Sequence, residues 1–425
     1  MTLPMSERTF ESGSNSMHET VNPAMLRWRI FFSVGDASAD LYASLLIPHL
    51  KRLHPHVELW GIGGPRMRTA GVRLLSETTR WSAIGLFAAA RCAIRVWSIY
   101  RRVQHWLKCE RPDTFVALDF GAVNRRLTLF AVELGIPTVY YVTPGFWTKN
   151  ITAVQRYLHP RLLYVPIFPW QREILLKAGA TPEQVYYFGH PLIHALPLEL
   201  TRREAEERLG LPHKDDSMPP FRIALLPGSR KGEVSDNLPL MVAIVQHAVH
   251  IIGDAPIQLL CARAPTVSES LIQRLLVRCI GKRMWQTFVW SGKTHEVLKA
   301  ADVALVVTGT ATLEAACLGV PAIALFNTNW LNRLHAIIIH RKSLPFHEWG
   351  FTALPNRLLG YEAMPEFILW RCDPKRIAPT LARWLTNPHE RAIVAKKLRA
   401  VVEVLGTTDV SEHVAHLIWR CWRGS

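Results

Sequence analysis

Several short stretches carry the side chains with which this chain could do chemistry. The segment Thr308-Gly309-Thr310-Ala311-Thr312-Leu313-Glu314 follows the apolar run Val303–Val307 and opens a helix that stops at Gly319, ahead of Pro321. A strand, a small-residue turn and a helix N-terminus hold anions well. The first amides of a helix lack intrahelical partners, and the dipole places about half a positive charge there. Gly309, Thr310 and Ala311 are small enough for a phosphate to reach the backbone, and Glu314, one turn in, suits a ribose hydroxyl better than a phosphate. The same residues also read as a plain strand–turn–helix capped by Thr310 or Thr312. A second apolar run, Phe221–Leu226, ends in Pro227-Gly228-Ser229-Arg230, which offers backbone donors, a hydroxyl and a guanidinium able to grip phosphate through two parallel bonds. Asp119 arrives at the carboxyl end of the run Thr114–Leu118. It either caps the helix that follows or, partly buried with a raised pKa, accepts a proton. His190, between Gly189 and Pro191, is either a packed residue or a second group for proton transfer or sugar contact. Asp36 and Ser38 sit in a small-residue turn, Gly35-Asp36-Ala37-Ser38-Ala39-Asp40, whose loop is expected to face the same cleft.

These loops need strands to carry them. Short apolar runs at 28–34, 57–62, 114–118, 138–142, 162–167 and 185–188 alternate with helical patterns, which predicts a mostly parallel, doubly wound sheet. The polar stretch 197–220, with a charged helix inside it, reads as a linker. The pattern restarts at Phe221–Leu226 and continues through 257–261, 287–290, Val303–Val307 and Ala322–Phe326, while residues from 362 onward read as helical. The expected architecture is therefore α/β, with two Rossmann-like domains facing a cleft and a C-terminal helical segment. The expected limits are a disordered leader over 1–24, an N-terminal domain over 25–200, a second domain over 201–370, and helices over 371–425 that pack back toward the first domain. Ligands in such sheets bind at the carboxyl ends of strands. No GxGxxG follows the first strand, which argues against a dehydrogenase.

At 425 residues, 49% of them hydrophobic and 20% charged, the chain has room for two domains with their own cores. Fifty Lys and Arg against 34 Asp and Glu leave +16, which points to an anionic partner: nucleic acid, a membrane surface or a phosphorylated substrate. Zinc-finger spacing, an RNP-type aromatic signature and a basic low-complexity tail are all absent from the sequence, so nucleic acid is disfavoured. The seven cysteines form no CxxC pair or Cys/His cluster, which predicts reduced thiols in the cytosol and no metal site. No run of eighteen apolar residues spans a membrane. A peripheral anchor is a different matter. Val96, Ile99, Tyr100, Val103 and Leu107 share one helical face, Arg91, Arg95 and Arg102 form a basic stripe beside it, and Trp97 and Trp106 flank it. That combination fits either a helix lying on an anionic membrane or a core helix with a solvated Arg edge.

The motifs, in order, resemble the lipid-A-disaccharide synthase family of glycosyltransferases. Gly35–Asp40 is similar to that family's G-E-x-S-G-D turn, and Gly61-Ile62-Gly63-Gly64-Pro65-Arg66-Met67 matches its G-x-x-G-P-R-M. Residues 81–86 resemble its M-G loop, 112–124 its P-D-x-F-x-x-I-D-x-P-D-F-N, 141–147 its Y-V-S-P-S-V-W, and Gly189-His190-Pro191 its G-H-x. Residues 225–234, Thr308 to Glu314 and Leu354-Pro355-Asn356 match nearly throughout. The resemblance implies a GT-B-type fold. It also implies transfer of a diacylglucosamine unit from UDP-2,3-diacylglucosamine to the primary hydroxyl of 2,3-diacylglucosamine 1-phosphate, with inversion, release of UDP, and neither cofactor nor metal. It places the general base at Asp119, an essential phosphate-contacting arginine at Arg230, and UDP contacts at Thr310, Glu314 and Asn356, beside Gly228, Ser229, Gly309 and Ala311. Asp36, Ser38, Arg91, Arg95 and Trp97 fall on the acceptor or membrane side. The implied location is cytoplasmic, peripheral on the inner face of the cytoplasmic membrane, and a homodimer exchanging its tail is among the implied partners. The departures cluster in the acceptor half: Asp36 replaces Glu, Ala39 replaces Gly, Gly121-Ala122-Val123 replaces Pro-Asp-Phe, and Thr148-Lys149-Asn150 replaces Ala-Trp-Arg. A UDP-sugar transferase or epimerase with a different acceptor, and a non-catalytic nucleotide-sugar-binding relative, are the alternatives.

Overall fold

The computed structural model describes residues 27–78, 86–143, 151–213, 220–253, 255–281, 283–328, 350–406 and 408–424, with only the backbone of 86–93 and 122. The leader over 1–24, the loop at 81–85 and the segment from Trp147 to Asn150 lie outside the described residues, as does the side chain of Arg91.

Among the described residues, twelve strands form two six-stranded sheets in which every pairing is parallel. The first holds β1 (Arg29–Val34), β2 (Glu58–Gly63), β3 (Arg73–Glu77), β4 (Thr114–Leu118), β5 (Thr138–Tyr141) and β6 (Leu162–Val165), in the order β3-β2-β1-β4-β5-β6. The second holds β7 (Phe221–Leu226), β8 (Ile257–Arg263), β9 (Gln286–Ser291), β10 (Val303–Val307), β11 (Ala322–Phe326) and β12 (Glu366–Ile368), in the order β12-β11-β10-β7-β8-β9. Both sheets thus have the same doubly wound order. In each, the chain reverses direction of travel between the first strand and the fourth, and the carboxyl ends of that pair open a crevice. The first crevice lies between β1 and β4, the second between β7 and β10. Central strands such as β4, β7 and β10 are buried along their whole length, as continuous apolar runs under helices on both faces require.

Two edge strands were not legible as strands. β3 is partly exposed and reads R-L-L-S-E, and β12 has only three residues, where a helical pattern was expected from 362 onward. The run 185–188 contributes one isolated bridge, Tyr164 to Val185, and no strand.

The helix Leu86–Glu110 departs from the membrane reading in an instructive way. Val103 and Leu107 are fully buried, and Val96, Ile99, Tyr100 and Trp106 pack against the same core cluster. Trp106 meets Phe31 at 4.7 Å and Trp60 at 5.7 Å between ring centroids. The apolar stripe is therefore a core face. What the helix turns outward is Ile94, 67% exposed, Trp97, 62% exposed, and the exposed Arg95, Arg101 and Arg102.

The linker helix Arg202–Leu209 begins in a capping box between Thr201 and Glu204 and ends at left-handed Gly210. It is fastened to the second sheet through buried charge: Arg222 Nη1 lies 2.5 Å from Glu206 Oε1, and Arg202 Nη2 lies 2.9 Å from Asp302 Oδ1. At the far end of the chain, the helix Val410–Arg423 packs on the helix Ala37–Leu53. Trp422 stacks on Trp28 at 5.0 Å, and Trp419 meets Trp28 edge-on at 5.3 Å, closing the buried ring of His54 into an aromatic cluster.

Candidate functional site

The loops that leave the two crevices face one another. On the first sheet, Asp36 caps the helix Ala37–Leu53, its Oδ1 accepting from the amide of Ala39 at 2.7 Å. Asp40, almost fully buried, accepts from the amides of Gly64, Arg66 and Met67 at 2.9, 3.1 and 3.1 Å, and so ties the G-x-x-G-P-R-M turn to this helix. At the end of β4 the backbone takes two consecutive left-handed steps, φ 47° at Asp119 and φ 50° at Phe120. For residues with a Cβ this costs about 1–2 kcal/mol each. Asn124 holds the turn in place: its Nδ2 donates to the carbonyls of Ser33, Leu118 and Asp119, and its Oδ1 accepts from Ser33 Oγ. Burial pushes the Asp119 carboxyl well above the usual carboxylate range. The charge of Asp36 and a side-chain hydrogen bond to it add to the rise, while the Phe120 amide and the charge of Arg230 pull it down.

On the second sheet, Gly228 after β7 has φ 113°, and a Cβ there would fall 2.7 Å from Glu233, so glycine is required. Glu233 lies in the first turn of the helix Lys231–Ile252. Its Oε2 accepts from the amides of Ser229 and Arg230 at 3.0 and 3.2 Å, and its Oε1 meets Arg230 Nη1 at 2.8 Å. The donors read from the sequence as free for a phosphate are thus held by a carboxylate of the same turn, and an incoming anion must compete with it. After β10, Gly309 with φ 148° leads into the helix Thr310–Cys317. Thr312 folds back to cap this turn, its hydroxyl donating to Gly309 O at 2.7 Å. Burial lifts the Glu314 carboxyl to about 7, against a smaller opposing pull from the charge of Arg66. Glu314 Oε2 lies 3.8 Å from His295 Nε2, whose own pKa burial lowers.

A cavity of about 340 Å³ lies between these loops. Asp36 and Ser38 line it from the first half, and Gly228, Ser229, Arg230, Gly309, Thr310, Ala311 and Glu314 line it from the second. Asp119 does not line it; it stands at the end of β4, the strand beside β1, whose following turn carries Asp36. The structure does not bring the remaining candidates there. His190 is 2% exposed and wedged between Tyr42 and Phe168; its Nδ1 accepts from the amide of Leu192 at 3.1 Å, and burial lowers its pKa to about 3. It is a neutral packing residue, which corrects its reading as a proton-transfer group. Asn356 is also fully buried, with its amide spent on the backbone of 363–364 and on Glu366, so it shapes a neighbouring loop without presenting a side chain to the cavity. Arg95 and Trp97 lie on the outward face of their helix, away from the cavity lining.

Some residues of the site went unread in the sequence. Glu233 and Thr294 line the cavity, and Arg66 and His295 act on Glu314. Only Glu233 left a local signal, its spacing three residues after the helix cap. Among the described residues no three His, Cys, Asp or Glu side chains gather as metal ligands would.

The chain is similar to known proteins over most of its length. A family model described as lipid-A-disaccharide synthetase matches residues 30–416. The lipid-A-disaccharide synthase of Syntrophus aciditrophicus is 30% identical over 390 residues, which is 91% of this chain and 96% of that protein. The lipid-A-disaccharide synthase of Methylobacillus flagellatus is 31% identical over 374 residues, 87% of this chain and 93% of its own. Among solved structures, a UDP-GlcNAc 2-epimerase from Neisseria meningitidis bound to UDP-GlcNAc superposes with a TM-score of 0.62 at 11% identity, covering 92% of this chain and 100% of that one. MurG of Acinetobacter baumannii superposes with a TM-score of 0.55 at 14% identity, covering 92% and 99%. At such identities the structural likeness shows the fold alone.

Proposed function

The chain belongs to the lipid-A-disaccharide synthetase family, and we propose that within that family's reaction Asp119 is the general base and Arg230 the cation that meets the departing UDP. The activity is that of a glycosyltransferase: it moves a 2,3-diacylglucosamine unit from UDP-2,3-diacylglucosamine to 2,3-diacylglucosamine 1-phosphate, giving lipid A disaccharide 1-phosphate and UDP. What supports the residue assignment is that Asp36, in the turn beside the end of β4 and Asp119, shares one cavity with Arg230 and the Gly309–Thr310–Ala311 turn, and that the charge of Arg230 acts on Asp119.

The primary hydroxyl of a sugar is a very weak acid, so its proton must leave as its oxygen attacks the anomeric carbon. A buried carboxylate whose pKa is raised is a stronger base than an exposed one. Charge then develops on the leaving diphosphate, where a guanidinium and a helix N-terminus stabilise it without reorganising. Glu314, in the first turns of the same helix, is suited to a ribose hydroxyl. A single displacement of this kind inverts the anomeric carbon.

The remaining assignments have narrower support. The two sheets support a division into domains over 25–200 and 201–370; of the tail over 371–425, expected to pack back toward the first domain, only the helix Val410–Arg423 does so, while Pro374–Thr386 and Pro388–Leu405 pack on helices of the second half. Among the described residues no helix is long and apolar enough to cross a membrane. Attachment to the inner face of the cytoplasmic membrane is supported by exposed Ile94 and Trp97 amid Arg95, Arg101 and Arg102. A homodimer exchanging its last helix would re-form the packing of Trp419 and Trp422 on Trp28 between subunits.

The test is Asp119→Asn, read by UDP release and by product mass. Asn keeps the shape and any capping oxygen but removes the base, so a folded protein that binds UDP should turn over about 100- to 10,000-fold more slowly. Wild-type turnover in this variant would remove Asp119 from the chemistry.

A further inference from the structure

We propose that Glu233 is a built-in stand-in for the diphosphate: its carboxylate holds the donors that the nucleotide takes over, and so sets which anions the cavity accepts and how readily UDP leaves. The proposal rests on the assignment of Arg230 to the leaving UDP and adds the side chain that UDP must displace.

Its ground is geometric. Both oxygens of this carboxylate are committed to one loop. Oε2 accepts from the amides of Ser229 and Arg230 at 3.0 and 3.2 Å, and Oε1 meets Arg230 Nη1 at 2.8 Å. Two adjacent amides and a guanidinium are also the donors that a phosphate group takes through two of its oxygens. The loop is shaped around the carboxylate: a Cβ on Gly228 would fall 2.7 Å from Glu233 Cβ and 2.7 Å from its Oε2. From the other side Thr266 Oγ1 donates to Ser229 O at 2.6 Å and holds the loop in place. The backbone of Glu233 is fixed as well, since Asn237 Nδ2 donates to its carbonyl at 2.8 Å and to Asn327 O at 3.1 Å. The side chain is the part left to move. It lines the cavity and is 21% exposed, so it can turn toward water when a stronger anion takes its donors.

Helix capping accounts for one of these bonds, because a Glu three residues after the cap accepts from the cap amide. It does not call for the further bonds to Ser229 and to the guanidinium, nor for a place on the cavity wall. Those make Glu233 a competitor for anions. An entering anion must replace the bonds that Glu233 gives up, and it brings its charge close to a carboxylate. Arg230 and the Gly309–Thr310–Ala311 turn line the same cavity, so a diphosphate can engage both and outweigh that cost. A single phosphate group engages one of them and is turned away. Once the sugar has been transferred, the carboxylate returns to its donors and hastens the departure of UDP.

The experiment measures the Kd of UDP by calorimetry, inhibition by inorganic phosphate, and turnover. The full chain is compared with Glu233→Gln, Glu233→Ala and Arg230→Ala at low and at high salt. Gln keeps an acceptor for the cap amide, so the helix start is retained, and thermal melting checks that it is. Glu233→Gln should bind UDP about tenfold more tightly than the parent, because a neutral oxygen holds these donors about half as strongly as a charged one. Glu233→Ala should gain at least as much, with a lower melting temperature from the lost cap. Inorganic phosphate should inhibit both variants at about tenfold lower concentration than it inhibits the parent. These ratios should persist at high salt, which screens distant charges and leaves competition for the same donors in place. UDP bound no more tightly by either Glu233 variant, or a gain that vanishes at high salt, overturns the proposal, while a slow Arg230→Ala with weakened UDP binding still supports Arg230. An Arg230→Ala that binds UDP and turns over like the parent overturns both.

Discussion

Ser38 Oγ and Thr310 Oγ1 stand 3.2 Å apart, one in the first turn of the helix that follows β1 and the other in the first turn of the helix that follows β10. Either hydroxyl can donate. Two helix N-termini, one from each sheet, thus meet at a single hydroxyl pair beside the cavity. Positive dipole ends repel unless something negative or polar lies between them. The carboxylates of Asp36 and Glu233 and the acidic Glu314 supply that in the free chain, and a diphosphate would supply more of it.

Arg230 should matter to rate far more than to fold. Its side chain is 58% exposed and rests on Glu233, so little packing is lost in Arg230→Ala. Turnover should fall at least ~100-fold, as when one charge-stabilising donor is removed from a transition state. Arg230→Lys should recover only part, since a point charge cannot reproduce the planar fork. Steady-state kinetics on both variants decide the matter: wild-type kcat in the pair would detach Arg230 from the leaving group.

Glu314 makes stability depend on pH. In the unfolded chain this carboxyl ionises above its ordinary pKa, roughly 4.3, whereas in the folded chain burial keeps it protonated up to about 7. Between these values the unfolded state releases a proton that the folded state retains, so the folded state loses stability as pH rises through the window. Glu314→Gln abolishes that loss. Its stability relative to the parent should improve by about 2–3 kcal/mol from about pH 5 to about pH 8, measured by thermal melting at each pH. A constant difference would mean that Glu314 ionises normally.

The outward face of the helix Leu86–Glu110 should bind anionic vesicles through Ile94 and Trp97 together with its arginines. Ile94→Ser with Trp97→Ser, or Arg95→Glu with Arg101→Glu, should each reduce co-sedimentation, and high salt should weaken binding of the parent. Replacing Val103, which is buried, should instead lower the melting temperature. Co-sedimentation unchanged in both double variants would leave this face without a membrane role.

His190 should affect stability and leave the pH profile alone. Its ring is neutral above about pH 3 and is engaged with the Leu192 amide. His190→Phe keeps an aromatic ring between Tyr42 and Phe168 but leaves that amide unpaired, at a cost of about 1–3 kcal/mol. Both limbs of the kcat/KM profile should stay where they are in the parent. A displaced limb would return His190 to the proton-transfer path.

Much of this protein is written locally. Val303–Val307 and Thr114–Leu118 announce themselves as buried strands because parallel strands covered on both faces need unbroken apolar runs. Small residues at Gly228 and Gly309 mark turns whose backbone has positive φ. The motifs around Arg230 and Glu314 are contiguous, so one dimension suffices to find them. Helical period alone could not tell which side of the helix Leu86–Glu110 is covered. An apolar stripe looks the same against a sheet as against a membrane, and only the packing of Val103 and Leu107 on Phe31 and Phe115 decides it.

The closeness of the turn that carries Asp36 to the turn that carries Asp119 belongs wholly to the tertiary structure. It depends on β4 inserting beside β1 instead of beside β3, a choice made by sheet order that no local pattern encodes. The same holds for His190 and Asn356, whose neighbours in sequence look like loop residues at a site but whose side chains are consumed by buried partners. Residue types and spacing determined which groups could do chemistry and at which strand ends they stand. Which turn stands beside which, and how far burial lifts the carboxyls of Asp119 and Glu314, was decided by strand order and burial, because those energies depend on distances across the fold and on exclusion of water.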